Sequence, residues 1–232
     1  MTRIDLNADL GEGGTQDNEL IDLVSSANIA CGGHAGSEEI MRRSIAMANA
    51  ADVRIGAHPG YADRENFGRR EMPISPSQVA ALITSQVGKL AELAAGKLHH
   101  VKPHGALYHQ ANRDPSLAAA LVGAVRGISP ALTLYAPPNG ALELAARAAG
   151  LAFMREGFAD RRYTTDGTLL PRTEPGAVIS CPAEAVSQAY ALCHRGDFDT
   201  LCVHGDSPHA LAILRAIRAS NLRLESKPEN LT

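Results

Sequence analysis

"HVKPHGALYH", His100 to His109, sets three histidines, a lysine and a tyrosine into ten residues. Taken with the residue before it, "HHVKPH" (His99–His104) reads as a short strand that runs straight into titratable chemistry. Side chains two apart on a strand face the same way, so Lys102 and His104 aim at one side, with His100 deeper on the same line. Pro103 offers no ladder donor and is tolerated near the end of a strand. His99 and His109 read as structural or exposed.

The same device recurs along the chain. Apolar runs stand at "RIDLNAD" (Arg3–Asp9), "SANIAC" (Ser26–Cys31), "VRIGAH" (Val53–His58), "LTLYAP" (Leu132–Pro137), "AFMREGF" (Ala152–Phe158) and "TLCVHGD" (Thr200–Asp206), with "LRLES" (Leu222–Ser226) as a possible eighth strand. Between them lie Ala- and Leu-rich stretches of helical period, among them Pro76–Ala95, Pro115–Arg126 and Gly140–Ala149. Ser37 followed by Glu38 and Glu39 is an N-cap with acids in the first turn, and Ser75-Pro76 is a cap with proline at the first helical position. Strands alternating with helices call for a parallel sheet. Polar residues close most of the strands: Asn7 and Asp9, Cys31 with His34, His58, Lys102 and His104, Asp160 and Arg161, His204 and Asp206. In a parallel α/β barrel all strand C-termini share one face, and that face carries the chemistry. The expected fold is therefore α/β, an irregular TIM-like barrel of seven or eight β/α units. No G-x-G-x-x-G follows the first strand and no P-loop is present, which weakens a dinucleotide-binding or P-loop alternative.

Composition narrows the function classes. The 232 residues are 45% hydrophobic and 20% charged, with a formal net charge of -3. "GRRE" and "DRRY" are the nearest approach to a basic run and each is flanked by acid, so no nucleic-acid footprint is legible. Trp is absent and aromatics reach 4%, against a base-stacking platform. No apolar run approaches a membrane span, and "MTRIDLNADLGEG" lacks a signal-peptide core. Four cysteines without a C-x-x-C pair suit reduced thiols in the cytoplasm. One soluble, cytoplasmic domain over residues 1–232 is the expectation, with no membrane or nucleic-acid partner and with a homo-oligomer left open.

Each constellation has a plain alternative. In "DLNADLGEG", Gly11 and Gly13 make a turn, while Asp9 and Glu12 are placed to bind a metal or orient a base. "NIACGGHAG" sets His34 in a glycine-rich loop before a helix, either as an anion cradle or as a simple βα turn; Cys31 reads as a buried small hydrophobe. "GAHPGYADRENFGRR" carries His58 into a long loop whose Arg69 and Arg70 either clamp an oxyanion or bridge Glu65 or Glu71. An inward Lys102 calls for an anionic partner such as a substrate phosphate or carboxylate. In "CVHGDSPHA", Asp206 either orients an imidazole or caps a helix.

Together, "DLNADLGEG", "SSANIACGGHAG", "GAHPGYADRENFGRR", "HVKPHGALY", "GFADRRYTTDGTLLPR" and "CVHGDSPHA" resemble, in collinear order, the LamB/YcsF family, identified with one subunit of the prokaryotic ATP-dependent 5-oxoprolinase. The resemblance implies a barrel of the glycoside hydrolase/deacetylase type. It also implies opening of the lactam 5-oxo-L-proline to L-glutamate, driven by ATP (with Mg) and performed with two other subunits. On that footing His58, His104 and His204 are candidate acids and bases, with Asp9 or Glu12 orienting them. His34, Arg69, Lys102, Asp160, Arg161 and Asp206 are assigned to substrate or phosphate. The ATP site, with no motif of its own here, is expected at a junction between subunits. Two rivals stand: a metal-dependent amide or ester hydrolase, with Asp9, His34 and His58 as candidate ligands, and a non-catalytic lactam- or sugar-binding subunit. Three departures from the family pattern are noted: Ser37 in place of Asp, Gly33 in place of a bulkier aromatic (expected to widen the loop), and a short segment between Gln188 and Thr200.

Overall fold

Alternation along each strand decides the architecture of this computed structural model, which describes residues 3–226. Strands β1 (Asp5–Leu10), β2 (Ser26–Ala30), β3 (Arg54–His58), β4 (Leu98–Val101), β5 (Thr133–Ala136), β6 (Ala152–Phe158) and β7 (Thr200–Val203) pair in chain order, all parallel. β7 pairs back onto β1 and closes a seven-stranded barrel. "LRLES" is not an eighth stave: only Leu224 bridges, to Ile4, at the N-terminal end of β1. β4 stops at Val101 rather than reaching Pro103. Its extended path nonetheless continues, because Lys102 N–H donates to Ala57 O (2.9 Å) and His104 N–H to Pro59 O (2.8 Å).

Leu6, Ala8 and Leu10 of β1 belong to the hydrophobic core that the barrel shares with its helices. Those helices are α1 (Asp17–Ile21), α2 (Glu38–Ala50), α3 (Pro76–Leu93), α4 (Gly105–Arg113), α5 (Pro115–Ile128), α6 (Ala141–Ala149), α7 (Pro182–Arg195) and α8 (Ala210–Ala219). Ser37 caps α2 by accepting from Ile40 N–H, and Ser75 with Gln78 forms a capping box at the start of α3, with Pro76 in its first turn. A serine does the capping work of the expected aspartate. No helix among the described residues is long and apolar enough to cross a membrane.

The other parity of β1 (Asp5, Asn7 and Asp9) turns into the barrel, and this axis is polar. Asp5 accepts from Ser26 (2.8 Å) and Thr200 (2.6 Å). Asn7 donates to Thr200 (2.7 Å) and Glu156 (3.1 Å), and Asn28 donates to Asn7 (2.7 Å) and Asp9 (2.8 Å). His100 donates from Nε2 to Asn28 Oδ1 (2.7 Å) while its ring stacks on Tyr135 at 4.1 Å. Buried polar groups at this density hold only because each finds a partner across the barrel. Gly56 makes room for that imidazole: a Cβ there would lie 2.0 Å from His100 Nε2. Gly56→Ala is expected to destabilise the fold by about 1–3 kcal/mol, read as a lower urea midpoint. A midpoint unchanged from wild type would show that the ring can move aside.

Candidate active site

Four side chains from four successive strand ends meet at the C-terminal mouth. Glu12 stands in the β1–α1 loop, His34 in the β2–α2 loop, His58 closes β3, and His104 follows β4. Glu12 Oε1 lies 2.9 Å from His34 Nε2, 3.2 Å from His104 Nδ1 and 3.5 Å from His58 Nε2. His58 Nε2 and His104 Nδ1 are 2.9 Å apart. The His34 and His104 rings stack at 3.6 Å, and His58 meets both edge-on. Glycines permit this density: a Cβ on Gly60 would stand 2.6 Å from His34 Nδ1, and one on Gly68 2.7 Å from His34 Cβ.

The outward nitrogens fix the tautomers. His58 Nδ1 donates to Lys102 O (2.7 Å) and His104 Nε2 donates to Phe67 O (2.8 Å), because a carbonyl can only accept. Neutral rings would therefore point two lone pairs at one another beside a carboxylate. Such a meeting needs a proton or a cation between the atoms. Burial alone would strip His58 of its proton, but the Asp9 and Glu12 carboxylates outweigh it and hold the His58 pKa above the usual imidazole value. Burial pushes His34 down to about 4 and His104 in the same direction. Burial also works against the Glu12 carboxylate, yet the His104 and His34 imidazoles beside it outweigh that and hold its pKa below the usual carboxylate value.

The same four donor atoms fit a divalent metal. All lie within 4.8 Å of one another, and a tetrahedral ion with bonds of about 2.0–2.1 Å needs ligand atoms about 3.3 Å apart. Carbonyl acceptors behind His58 and His104 orient the rings as metal ligands require. His34 Nδ1 is buried without a hydrogen-bond partner, so this ring is held by its neighbours and by whatever Nε2 engages. The set differs from the expected Asp9, His34 and His58: Glu12 and His104 join it, and Asp9 is engaged elsewhere.

Asp9 instead accepts from Lys102 Nζ (2.7 Å) and Asn28, with its second oxygen 3.5 Å from His58 Nε2. Burial would raise the Asp9 pKa, but His58, Lys102 and His204 outweigh it and hold it well below the carboxylate range. Lys102, expected to await a substrate anion, is 2% exposed and already paired, with Glu156 3.2 Å away and Cys202 Sγ at 2.9 Å. Glu156 in turn accepts from Tyr108 (2.8 Å).

On the far side of the mouth, His204 Nδ1 lies 3.0 and 3.1 Å from the two oxygens of Asp160, and its ring stacks on Phe158 at 5.1 Å. With Nδ1 on the carboxylate, Nε2 has no hydrogen-bond partner among the described residues, on a side chain 14% exposed. Asp160, not Asp206, is thus the residue that orients this imidazole. Burial opposes the Asp160 charge, but His204 and Arg172 outweigh it, so the folded pKa lies below the ordinary value. Its stabilisation is present above the unfolded pKa of about 3.9 and is lost as pH falls through the depressed folded value. The stability gap between wild type and Asp160→Asn is accordingly expected to narrow below about pH 4, and denaturation curves that stay parallel across that range would reject the assignment.

The remaining candidates lie elsewhere. Arg69 donates to Asp206, as does Arg172 (3.0 and 3.1 Å). Arg70 reaches only towards Asp63, at 3.8 Å, and Glu71 pairs with Arg113. Buried Arg161 donates to the carbonyls of Leu170 and Ala177. The glycine-rich loop of His34 is tied down by Arg64, which donates to Gly32 O and Gly36 O, and by Gly32 N–H, which donates to Ala35 O (2.8 Å). Gly33 does not widen it: a Cβ there would meet Gly60 O at 2.5 Å and the Gln86 amide at 2.6 Å, and that amide bonds Gly60 on both sides. Cys31 is buried, and burial pushes its thiol up to about 12. Sequence reasoning does not single out Glu156, Asn28, Tyr108 or Arg172. For Glu156 a signal exists: an acid two positions before Phe158, and so of the same strand parity, in the run "AFMREGF".

Comparison with known proteins places these features. The profile of the LamB/YcsF family matches residues 4–228. A protein of Methylococcus capsulatus, named as one of the subunits of 5-oxoprolinase, is 48% identical over 93% of this chain and 90% of its own length. The crystal structure of a lactam utilization protein from Thermus thermophilus superposes with a TM-score of 0.86 at 41% identity, covering 94% of this chain and 95% of that one. A CE4 family pseudoenzyme, in a mutant with restored enzymatic activity, shares the barrel at a TM-score of 0.55 and 10% identity, over 93% of this chain and 60% of that one.

Proposed function

Because the chain belongs to the LamB/YcsF family, we propose that it is the barrel subunit of an ATP-dependent 5-oxoprolinase and that the mouth of its barrel is the reaction chamber. The observation that carries the reading is the meeting of Glu12, His34, His58 and His104 at one point, opposite a His204–Asp160 dyad with a free Nε2, in a chain nearly half identical to a protein named for that enzyme.

The lactam is a poor electrophile, and ATP supplies the drive. The amide oxygen takes the γ-phosphoryl group and ADP departs. Water then adds to the ring carbon, giving its proton to His204 Nε2, while Asp160 stabilises the imidazolium that forms. Collapse breaks the C–N bond, the nitrogen takes up a proton, and a second water hydrolyses the acyl phosphate to L-glutamate and phosphate. Glu12, His34, His58 and His104 would hold a divalent ion, which when bound supplies Lewis-acid polarisation of the lactam or phosphoryl oxygen. Lys102 and Asn28 fix Asp9, and Asp9 with Lys102 O fixes His58, so the imidazole cluster keeps its geometry through the cycle. Arg69 remains the candidate for an anionic group of the substrate. The chain works in the cytoplasm with two partner subunits, ATP and Mg being bound where subunits meet.

The test is co-expression with the candidate partner subunits, followed by measurement of 5-oxoproline-dependent ADP release. Absence of release from a folded, assembled complex would end the proposal. The four-donor cluster also favours a second reading, metal-dependent amide hydrolysis; turnover that needs the metal but proceeds without ATP would select it.

A further inference from the structure

Above the imidazole cluster three loops meet at one carboxylate. Arg69 comes from the loop after β3, Arg172 from the loop between β6 and α7, and Asp206 follows β7. Both guanidiniums donate to Asp206, Arg172 reaching its two oxygens at 3.0 and 3.1 Å. No other carboxylate among the described residues lies within salt-bridge distance of either arginine. Two cations therefore share one salt-bridged carboxylate, and Asp160 is a further carboxylate on which Arg172 acts without a direct bond. The three side chains are 37%, 27% and 18% exposed for Arg69, Arg172 and Asp206, so solutes reach them.

Both arginines are tied to the chamber. The Arg69 guanidinium lies 4.7 Å from the centre of the Phe67 ring, and that ring packs edge-on against His34 (5.5 Å) and His104 (5.4 Å). Arg172 acts on Asp160, the carboxylate that orients His204. It rides on a hairpin marked by the bridges Arg161–Val178 and Tyr163–Leu169, whose base Arg161 holds through Leu170 O and Ala177 O. An anion seated on both arginines would therefore lie beside Phe67, which packs on the imidazole cluster, and close enough to Asp160 to share its arginine.

Resting on the chamber reading above, we propose that Arg69 and Arg172 are the seat of the substrate's carboxylate and that Asp206 is a tethered competitor, displaced when a small cyclic-amide acid binds. Guanidinium forks match carboxylate geometry, and Asp206 occupies the seat as a carboxylate would. A competitor and a structural latch differ in the sign of one substitution. Removing the charge of a competitor tightens ligand binding; removing a latch loosens it.

The experiment is calorimetric titration of the full chain, alone and in the assembled complex, with L-5-oxoproline, 2-pyrrolidinone (the same lactam without its carboxylate) and inorganic phosphate. Arg172→Gln is expected to weaken L-5-oxoproline binding by about tenfold or more, the usual worth of a charged hydrogen bond. Arg172→Lys keeps the charge without the fork and recovers only part of it. Asp206→Asn tightens binding, and 2-pyrrolidinone responds to none of the three; thermal melts confirm that each variant is folded. The proposal is overturned if wild type does not bind L-5-oxoproline, if Arg172→Gln binds it as wild type does, or if Asp206→Asn weakens it as Arg172→Gln does. It is equally overturned if phosphate alone follows the variant pattern, since the seat would then belong to a phosphoryl group. ADP release by the complex without the variant pattern would sink this proposal alone, while the pattern without ADP release would sink the proposed reaction alone.

Discussion

With alanine at both His58 and His104, ATP-coupled turnover of 5-oxoproline by the assembled complex falls by about 100- to 10,000-fold, the range for losing positioned acid–base groups. The two substitutions empty one side of the point where Glu12 Oε1, His34 Nε2, His58 Nε2 and His104 Nδ1 converge. What remains, Glu12 and His34, are held at 2.9 Å by each other and have no third or fourth donor. Metal content, measured by elemental analysis, drops with the activity. Because both rings are buried and His58 faces the Asp9 and Glu12 carboxylates, the double variant also loses stability, and turnover is compared at a temperature where thermal melts show it folded. Collapsed turnover in a complex that is still folded is the expected result. Turnover equal to wild type in a complex of normal composition would remove the barrel-mouth chamber from any account of this protein.

Lys102→Met produces the largest loss of stability, about 3–5 kcal/mol, the cost of leaving buried charge uncompensated. Its ammonium stands between Asp9 (2.7 Å) and Glu156 (3.2 Å), both nearly inaccessible to water. Methionine fills the volume but offers neither carboxylate a donor. Burial would lower the Lys102 pKa, yet Asp9, Cys202 and Glu156 outweigh it and hold the group firmly protonated. A second substitution, Asp9→Asn, removes one of the stranded charges and is expected to restore part of the loss; the two changes are then non-additive, as contacting residues require. Urea denaturation of the four proteins in the cycle measures this. A loss below about 1 kcal/mol for Lys102→Met would mean that water or a bound cation reaches the site and replaces the ammonium.

Strand order and the common face of His34, His58 and His104 are legible in the sequence because both follow from local pattern. A run that alternates and then ends in Gly, His and Asp places those residues at one rim wherever all strands are parallel. The parity of Lys102, His104 and His100 is legible for the same reason. Pairings are not. Sequence matches Lys102 to a substrate anion because its counter-ions arrive from β1 and β6, and no local rule connects residue 102 to 9 or 156. It offers Asp206 to an imidazole because the arginines partnering that carboxylate stand 137 and 34 positions earlier. Arg161 reads as free, since the carbonyls that occupy it belong to a hairpin whose bridges carry no periodic signature. Gly33 reads as opening space that a glutamine on α3 in fact fills.

The polar axis of the barrel bears on temperature as well as on chemistry. Unfolding a barrel filled with leucine and valine hydrates apolar surface and raises the heat capacity; here the same event also hydrates Asp5, Asn7, Asn28, His100 and Glu156, and polar hydration acts in the opposite direction. The heat-capacity increment should accordingly fall below that of an aliphatic-cored barrel of equal length. A smaller increment flattens the curve of free energy against temperature, so that the molecule loses less stability on chilling than one sealed by oil alone.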